Sequence, residues 1–297
     1  MLKIIHIIFL LVLTSAAKAD MKNEILTTLN KEAKEVSEYI LGKIPGEGIT
    51  EGSIEVRDDD DDFIDFEILA VRDIESKEKS NLFTQLGFRK DKVLSSERYI
   101  GNLGLGYRFL TDDKSMLFGV NSFYDHDLHT NHKRASLGFE AKASMLDFTF
   151  NQYQKLSNQK VIKGVKEQTL SGTELNLTSQ IPYIPWSKIN LQNYRWENEK
   201  AAQDNKGMIY SLELALTPSL QFDVSQDVSS VDGQDDEMLY KLSFLYPPRS
   251  NKPSLMNETF SEEAFIKENV EKKLKDKVRR TNNLVVEVQG AVIITKK

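Results

Sequence analysis

The run YDHDLHTNH, from Tyr124 to His132, gathers three of the four histidines of the chain around Asp125 and Asp127. Imidazole and carboxylate at that density are the donors of a zinc site. His126, His129 and His132 recur every third residue, a spacing that converges ligands only on a helix. The residues before them alternate as a strand does and end in a loop, so no metal centre is expected. The acidic run Asp58–Asp62 would attract divalent cations, but it lacks EF-hand spacing and reads as a solvated loop. No serine has both a histidine and a carboxylate brought near it by the sequence, and no nucleotide motif is present. Neither catalytic residues nor a cofactor are therefore expected, and the chain does not read as an enzyme.

The elements that carry these residues are strands. In NLGLGYRFL, Leu103, Leu105, Tyr107 and Phe109 alternate with Asn102, Gly104, Gly106 and Arg108. After a short polar turn, Met116, Phe118, Val120 and Tyr124 alternate with Gly119, Asn121 and Asp125. Period-two runs of this kind predict about twelve strands: 52–57, 62–71, 81–89, 99–110, 115–125, 133–143, 146–156, 172–181, 188–197, 207–217, 219–228 and 237–246. The phase slips in Ile189–Trp196, where a bulge is expected.

Either a second sheet or lipid must cover the apolar faces, and the connections discriminate. If the first strand rises, the odd connections (the Asp run, 90–98, 126–132, 157–171, 198–206 and 229–236) are mostly long and polar. The even ones (111–114, 144–145, 182–187 and the break at Thr217-Pro218) are short, with 72–80 the exception. Short turns alternating with long loops are the pattern of a closed outer-membrane barrel. Phe109, Tyr183, Trp186 and Tyr246 at the turn end, and Tyr124, Tyr194 and Trp196 at the loop end, fall where interfacial girdles belong. An even strand count lets the sheet close and satisfies every backbone group in hydrocarbon.

The compartment agrees. Lys3, the apolar stretch Ile4–Leu13 and Ala17-Lys18-Ala19 form a signal peptide over 1–19, with Asp20 the expected mature N-terminus. That apolar stretch is too short to span a bilayer. The chain has 297 residues, no cysteine and a net charge of −6, which excludes a disulfide framework and argues against nucleic acid.

Outside the strands, Ile25, Leu29, Ala33, Val36 and Ile40 follow helical spacing over Lys22–Leu41, with Gly42 as the cap. The segment 20–50 is thus read as a short periplasmic helical piece before a barrel over 51–247. After Pro247-Pro248 the chain turns polar, and Ser261 to about Thr281 reads as a charged helix with Ala264, Val270, Leu274 and Val278 as its apolar positions. Such a helix cannot lie in lipid. It is expected to plug a pore lined by Asp65, Glu67, Arg89, Arg108, Arg134, Glu140, Asp147 and Glu174, with Arg280 among the plug's contacts. Leu284–Val288 and Ala291–Thr295 read as extended chain, so 248–297 forms a pore helix and linker.

Two stretches carry a family resemblance. NLGLGYRFL, GVNSFYDHDL, SLGFEAKAS and DFTFNQYQKLS resemble the β-domain of inverse autotransporters, the intimin/invasin family, at Asn102, Gly104, Gly106, Arg108, Phe109, Asn121, Phe123, Asp125, Asp127, Arg134, Gly138, Glu140 and Tyr153. DKVRRTNNLVVEV resembles the family's linker at Val278, Arg280, Asn282, Asn283 and Glu287. The resemblance spans roughly Gly52–Val288. It implies a twelve-stranded outer-membrane barrel whose linker passes back through the pore and, in relatives, carries an adhesin to the cell surface by type V secretion.

The sequence stops at Lys297, so a translocator without its passenger is expected, with a stand-alone porin-like barrel or a surface-loop adhesion barrel as the alternative. The basic positions Lys155, Lys160, Lys163 and Lys166 point to the 157–171 loop in the latter case. The expected surroundings are outer-membrane lipid and lipopolysaccharide of a Gram-negative bacterium and the barrel-assembly machinery. A separately encoded passenger or a host surface completes the set of partners, and a monomer is expected.

Overall fold

Each alternating run becomes one strand of a single closed sheet, because its apolar and polar residues can then face opposite sides of one wall. The computed structural model describes residues 19–58, 64–93, 96–231, 235–249 and 252–288. The expected signal peptide apart from Ala19, all of the Asp58–Asp62 run except Asp58, and the extended chain of 291–295 lie outside these residues. The first strands are β1 Gly48–Arg57, β2 Asp65–Lys77, β3 Ser80–Val93, β4 Ser96–Leu110, β5 Leu117–Asp127, β6 Lys133–Lys142 and β7 Leu146–Lys155. A small hairpin follows, β8 Lys160–Ile162 and β9 Val165–Thr169. The remaining wall is β10 Ser171–Ile181, β11 Ile184–Glu197, β12 Asn205–Thr217, β13 Leu220–Ser229 and β14 Glu237–Tyr246.

β1–β7 and β10–β14 form a closed antiparallel barrel in sequence order, and β14 pairs back onto β1 from Thr50–Tyr246 to Arg57–Leu239. Closure leaves no unpaired edge, which is what a sheet in hydrocarbon requires. Outward side chains such as Leu105 (54 % exposed) and Leu137 (67 % exposed) are apolar, while inward Arg108, Arg134 and Glu140 are buried. Among the described residues no helix is long and apolar enough to cross a membrane.

The expected twelve strands are present, and several run further than their apolar alternation. β2 and β3 meet in a two-residue turn at Glu78-Lys79, so the long connection expected over 72–80 is strand instead. Polar Asp73, Glu75, Ser76 and Lys77 pair across the ladder there, and their charge hid the strand. The bulge expected in Ile189–Trp196 is absent. Register shifts occur at Gln180/Ile181, Ala215/Thr217 and Asp73/Glu75, all near the end of the barrel that carries the short turns. β11 therefore keeps its phase, and Tyr194 and Trp196 point into the lumen, each 3 % exposed, rather than joining a girdle. Phe109, Tyr124 and Tyr183 are exposed, whereas Trp186 is buried, its Nε1 donating to the Thr259 carbonyl at 2.8 Å.

The predicted C-terminal helix is corrected more deeply. The only helical turn within it is a short 3-10 segment, Val270–Lys275, and the rest of Ser261–Thr281 is irregular. With few apolar positions to bury, a helix gains little from packing. Barrel side chains take the segment's carbonyls and charges instead. The N-terminal helix, α1 Ala19–Ile40, forms as its spacing predicts and is followed by a 3-10 turn at Leu41–Lys43. It lies outside the wall, against β12, β13 and β14.

Candidate functional site

The chemistry of the molecule is concentrated inside the barrel, where the segment after Val270 meets the inward faces of the strands. Its contacts progress from the turn end to the loop end. Val270 and Leu274 pack on Leu110 and Leu117 at the turn end. The ammonium of Lys273, only 2 % exposed, donates to the Ala143 carbonyl and to Asp147 Oδ1, both at 2.7 Å. One step further, Lys277 donates to both Glu51 oxygens at 2.6 and 2.8 Å. Arg279 forms a fork with Glu213 at 2.6 and 3.1 Å.

At mid-height Val278 enters an apolar pocket of Leu69, Val71, Phe83 and Phe123, and its N–H donates to Gln85 Oε1 at 2.7 Å. Arg280 then meets Asp125 at 3.0 and 2.6 Å, and Arg134 holds the same carboxylate through Nε at 2.9 Å. The hydroxyl of Thr281 donates to Glu174, and Tyr153 donates to the same carboxylate at 3.1 Å. Asn282 donates to Glu67 Oε1 at 2.6 Å, and Asn283 is buried beside it. Buried charges persist only when paired and hydrogen-bonded, and these are paired on nearly every rung.

At the loop end Val285 is enclosed by Tyr153, Leu170, Tyr194, Trp196 and Ile209. β15, Val286–Val288, adds to β9 with Val286 opposite Thr169 and Val288 opposite Glu167, so the small hairpin becomes a three-stranded sheet. The Glu287 carboxylate accepts the backbone N–H groups of Glu199, Lys200 and Ala201 at 3.0, 2.9 and 2.6 Å. Successive backbone N–H groups converging on one carboxylate make a local anion nest.

Two kinds of contact differ in what they read. Cations of the segment meet carboxylates of the wall, which is selective. Wall donors also grip the main chain: Arg108 Nη1 reaches the Leu274 and Asp276 carbonyls at 3.0 and 2.5 Å, and Arg134 Nη2 the Thr281 carbonyl at 2.8 Å. Asn151 reaches the Arg279 carbonyl at 3.0 Å and Asn102 that of Asn282 at 2.9 Å. Arg108 is itself fixed by a fork to Glu140 at 2.8 and 3.0 Å.

Glycines set the room for this. A Cβ on Gly104 would stand 2.2 Å from the Phe123 ring, and one on Gly106 would stand 2.3 Å from the Phe83 ring. With no side chain on those two residues, each ring lies on β4, and a guanidinium stacks above it. Arg280 is 4.2 Å from the Phe123 centroid and Arg108 is 4.2 Å from that of Phe83.

Of the residues singled out from the sequence, Arg108, Arg134, Glu140, Asp147 and Glu174 all lie on the inner wall, and Val278, Arg280, Asn282, Asn283 and Glu287 all lie on the segment facing it. The sequence reading missed Glu51, Gln85 and Glu213 as partners; only their inward phase marks them. The histidine cluster disperses. His126 Nε2 donates to Asn131 Oδ1 at 2.8 Å on the surface, His132 contacts Ser157 at 2.9 Å, and Asp125 points into the lumen. Among the described residues no group of His, Asp or Glu is arranged to hold a metal ion.

A closed twelve-strand barrel with an apolar outer wall and a charged lumen is an outer-membrane β-barrel protein. The family model described as inverse autotransporter, beta-domain, matches residues 12–282, and the chain belongs to that family. Invasin of Yersinia enterocolitica is 27 % identical over 141 residues, covering 46 % of this chain and 16 % of the relative. The inverse autotransporter adhesin YeeJ of Escherichia coli K12 is 24 % identical over 211 residues, covering 67 % of this chain and 9 % of its own length. The chain thus corresponds to a small part of these relatives. A solved structure described as "Unveiling the Mechanism Behind the in-meso Crystallization of Membrane Proteins" has the same fold, with a TM-score of 0.65 at 18 % identity over 82 % of this chain and 99 % of that one. Fold and family together support an outer-membrane location.

Proposed function

We propose that the barrel is a translocator whose C-terminal linker threads the pore from the periplasm to the cell surface and carries outward whatever chain follows it. The observation that carries this reading is the set of wall donors on linker carbonyls, from Arg108 at Leu274 to Asn102 at Asn282. Main-chain contacts hold an extended polypeptide whatever its side chains, which suits a conduit through which sequence must pass. The linker cations Lys277, Arg279 and Arg280 then fix the resting register against Glu51, Glu213 and Asp125. Two relatives are called invasin and adhesin, and by that likeness the exported chain serves surface attachment. In this reading the barrel is a monomer in lipid and lipopolysaccharide, inserted by the barrel-assembly machinery, and has no catalytic role.

The test uses the absence of native cysteine. With Gln85→Cys and Val278→Cys, a short bismaleimide applied to cells should join barrel and linker and alter migration on a gel. Lack of cross-linking in folded, membrane-inserted protein would contradict a threaded linker.

One observation favours a second reading, a diffusion pore. A cavity of about 260 Å³, lined by Glu67, Arg89, Lys188, Glu213, Asp223 and Lys241 among others, remains between the linker and the wall. Under the translocator reading, deleting 270–288 raises conductance in planar bilayers several-fold; a wild-type pore already conducting at that level would favour diffusion.

A further inference from the structure

The outer wall of the barrel is exposed almost everywhere except beneath α1. Leu214 and Leu216 of β12 and Leu220 and Phe222 of β13 face outward, yet they are only 2–5 % exposed. Leu26 and Ala33 of α1 pack on them, and the stripe continues through Ser37 to Leu41, which meets Gly52 of β1. The Ser37 hydroxyl donates to the Ala33 carbonyl at 2.6 Å, so a polar residue can sit in that contact without an unmet group. The helix therefore crosses the barrel near its turn end, over β12, β13 and β14, and reaches β1 on the far side of the closing seam.

Its apolar surface is wider than this contact. Beside the buried stripe, Val36 is 40 %, Ile40 50 % and Tyr39 71 % exposed, and Lys43 sits 4.1 Å from the Tyr39 ring centre. The opposite side carries Lys31–Glu35 and Lys34–Glu38 pairs at i, i+4 spacing in solvent. A helix with one apolar arc divided between protein and open space, and charges on the other side, fits a membrane boundary. The exposed arc is continuous with the apolar wall around it, and an adjacent Tyr and Lys are the residues that favour the headgroup level.

We infer that α1 is an interfacial element that seats its Val36–Ile40 arc in the phospholipid leaflet at the turn end of the barrel. This rests on the reading of the molecule as a membrane barrel and is independent of whether the linker is exported. The leaflet completes the burial of a helix that the barrel alone covers only in part. It thereby holds α1 across β14 and the first strand, where the sheet closes.

Single cysteines at Val36→Cys, Ile40→Cys, Glu35→Cys and Leu105→Cys, each bearing an environment-sensitive fluorophore, test this in vesicles of phospholipid with and without brominated acyl chains. Leu105 lies on the open wall and reports whether the barrel is in the bilayer. The expected result is several-fold stronger quenching by brominated lipid at 36, 40 and 105 than at 35, with iodide in the water quenching 35 most. With 105 quenched by lipid, iodide quenching of 36 and 40 to the level of 35 would overturn the inference. So would quenching of 36 and 40 by neither agent, because protein would then cover them. If 105 itself escaped lipid quenching, the membrane-barrel reading would fail and the inference with it.

Discussion

Arg280 holds Asp125 through both terminal nitrogens, at 3.0 and 2.6 Å, while Arg134 binds the same carboxylate from the wall. One buried anion thus joins the C-terminal segment to the barrel wall. Asn102 adds a third donor to Asp125 at 2.7 Å. The cost of removing a member depends on what is left behind.

Asp125→Ala leaves two guanidiniums without their anion, whereas Arg280→Ala leaves Asp125 still held by Arg134. Unfolding in detergent followed by urea titration should show a loss of about 3–5 kcal/mol for Asp125→Ala, the range for an uncompensated buried charge. Arg280→Ala should cost less, about 1–3 kcal/mol, with the linker released while the barrel stays folded. Equal losses would mean that Arg280 and Asp125 do not form the shared cluster.

Gly104→Ala drives a methyl group into the Phe123 ring, which β4, Arg280 and the Val278 pocket hold in place. Overpacking of this kind costs about 1–3 kcal/mol. Combining it with Phe123→Leu should recover part of that loss, since the ring is the obstacle. A double variant no better than the sum of the single ones would place the strain elsewhere.

Glu287→Ala removes the acceptor shared by the N–H groups of Glu199, Lys200 and Ala201. Amide exchange in that loop should accelerate about tenfold or more, in line with the loss of charge-assisted hydrogen bonds of about 1.5–3 kcal/mol. Exchange in β4 and β5 should be unchanged. Unaltered protection at 199–201 would show that the nest does not anchor the linker's exit.

At the loop end, burial pushes the His132 pKa down to about 4, with the Lys160 ammonium acting in the same direction. Asp127 opposes this, and Arg98 adds to it while engaging Glu167, whose carboxylate lies 3.4 Å from His132 Nε2. The folded form therefore binds fewer protons than the unfolded chain between the ordinary value of 6.5 and about 4. Stability contributed by neutral His132 is complete above that window and is lost as pH falls through it. His132→Gln should flatten the acid side of a melting-temperature profile; an unchanged slope would assign it to other groups.

The architecture was legible because period two runs through the middle of the strands, as in Leu103–Phe109 and Met238–Tyr246, and slips only near their ends. Strand ends were not, since over Asp73–Lys77 the one apolar residue, Ile74, falls at a register shift and the others are polar. Tyr194 and Trp196 were misplaced for a related reason. An aromatic at a strand end suits either a lipid girdle or a lumen, and only the unbroken phase of β11 decides. Charge suggested a helix over Ser261–Thr281, although each of Lys273, Lys277, Arg279 and Arg280 has a partner across the lumen rather than one turn away. Pairing across a barrel leaves no local period in the sequence. The linker motif and the inward arginines were nevertheless visible, the first by resemblance and the second by phase.

A threaded translocator delivers the end of its linker to the cell surface. An epitope tag placed after Lys297 in intact cells tests it most directly, with lysed cells as the control for expression. Labelling of intact cells should equal that after lysis. Labelling that emerges only on lysis would leave the tail in the periplasm and contradict the threaded translocator.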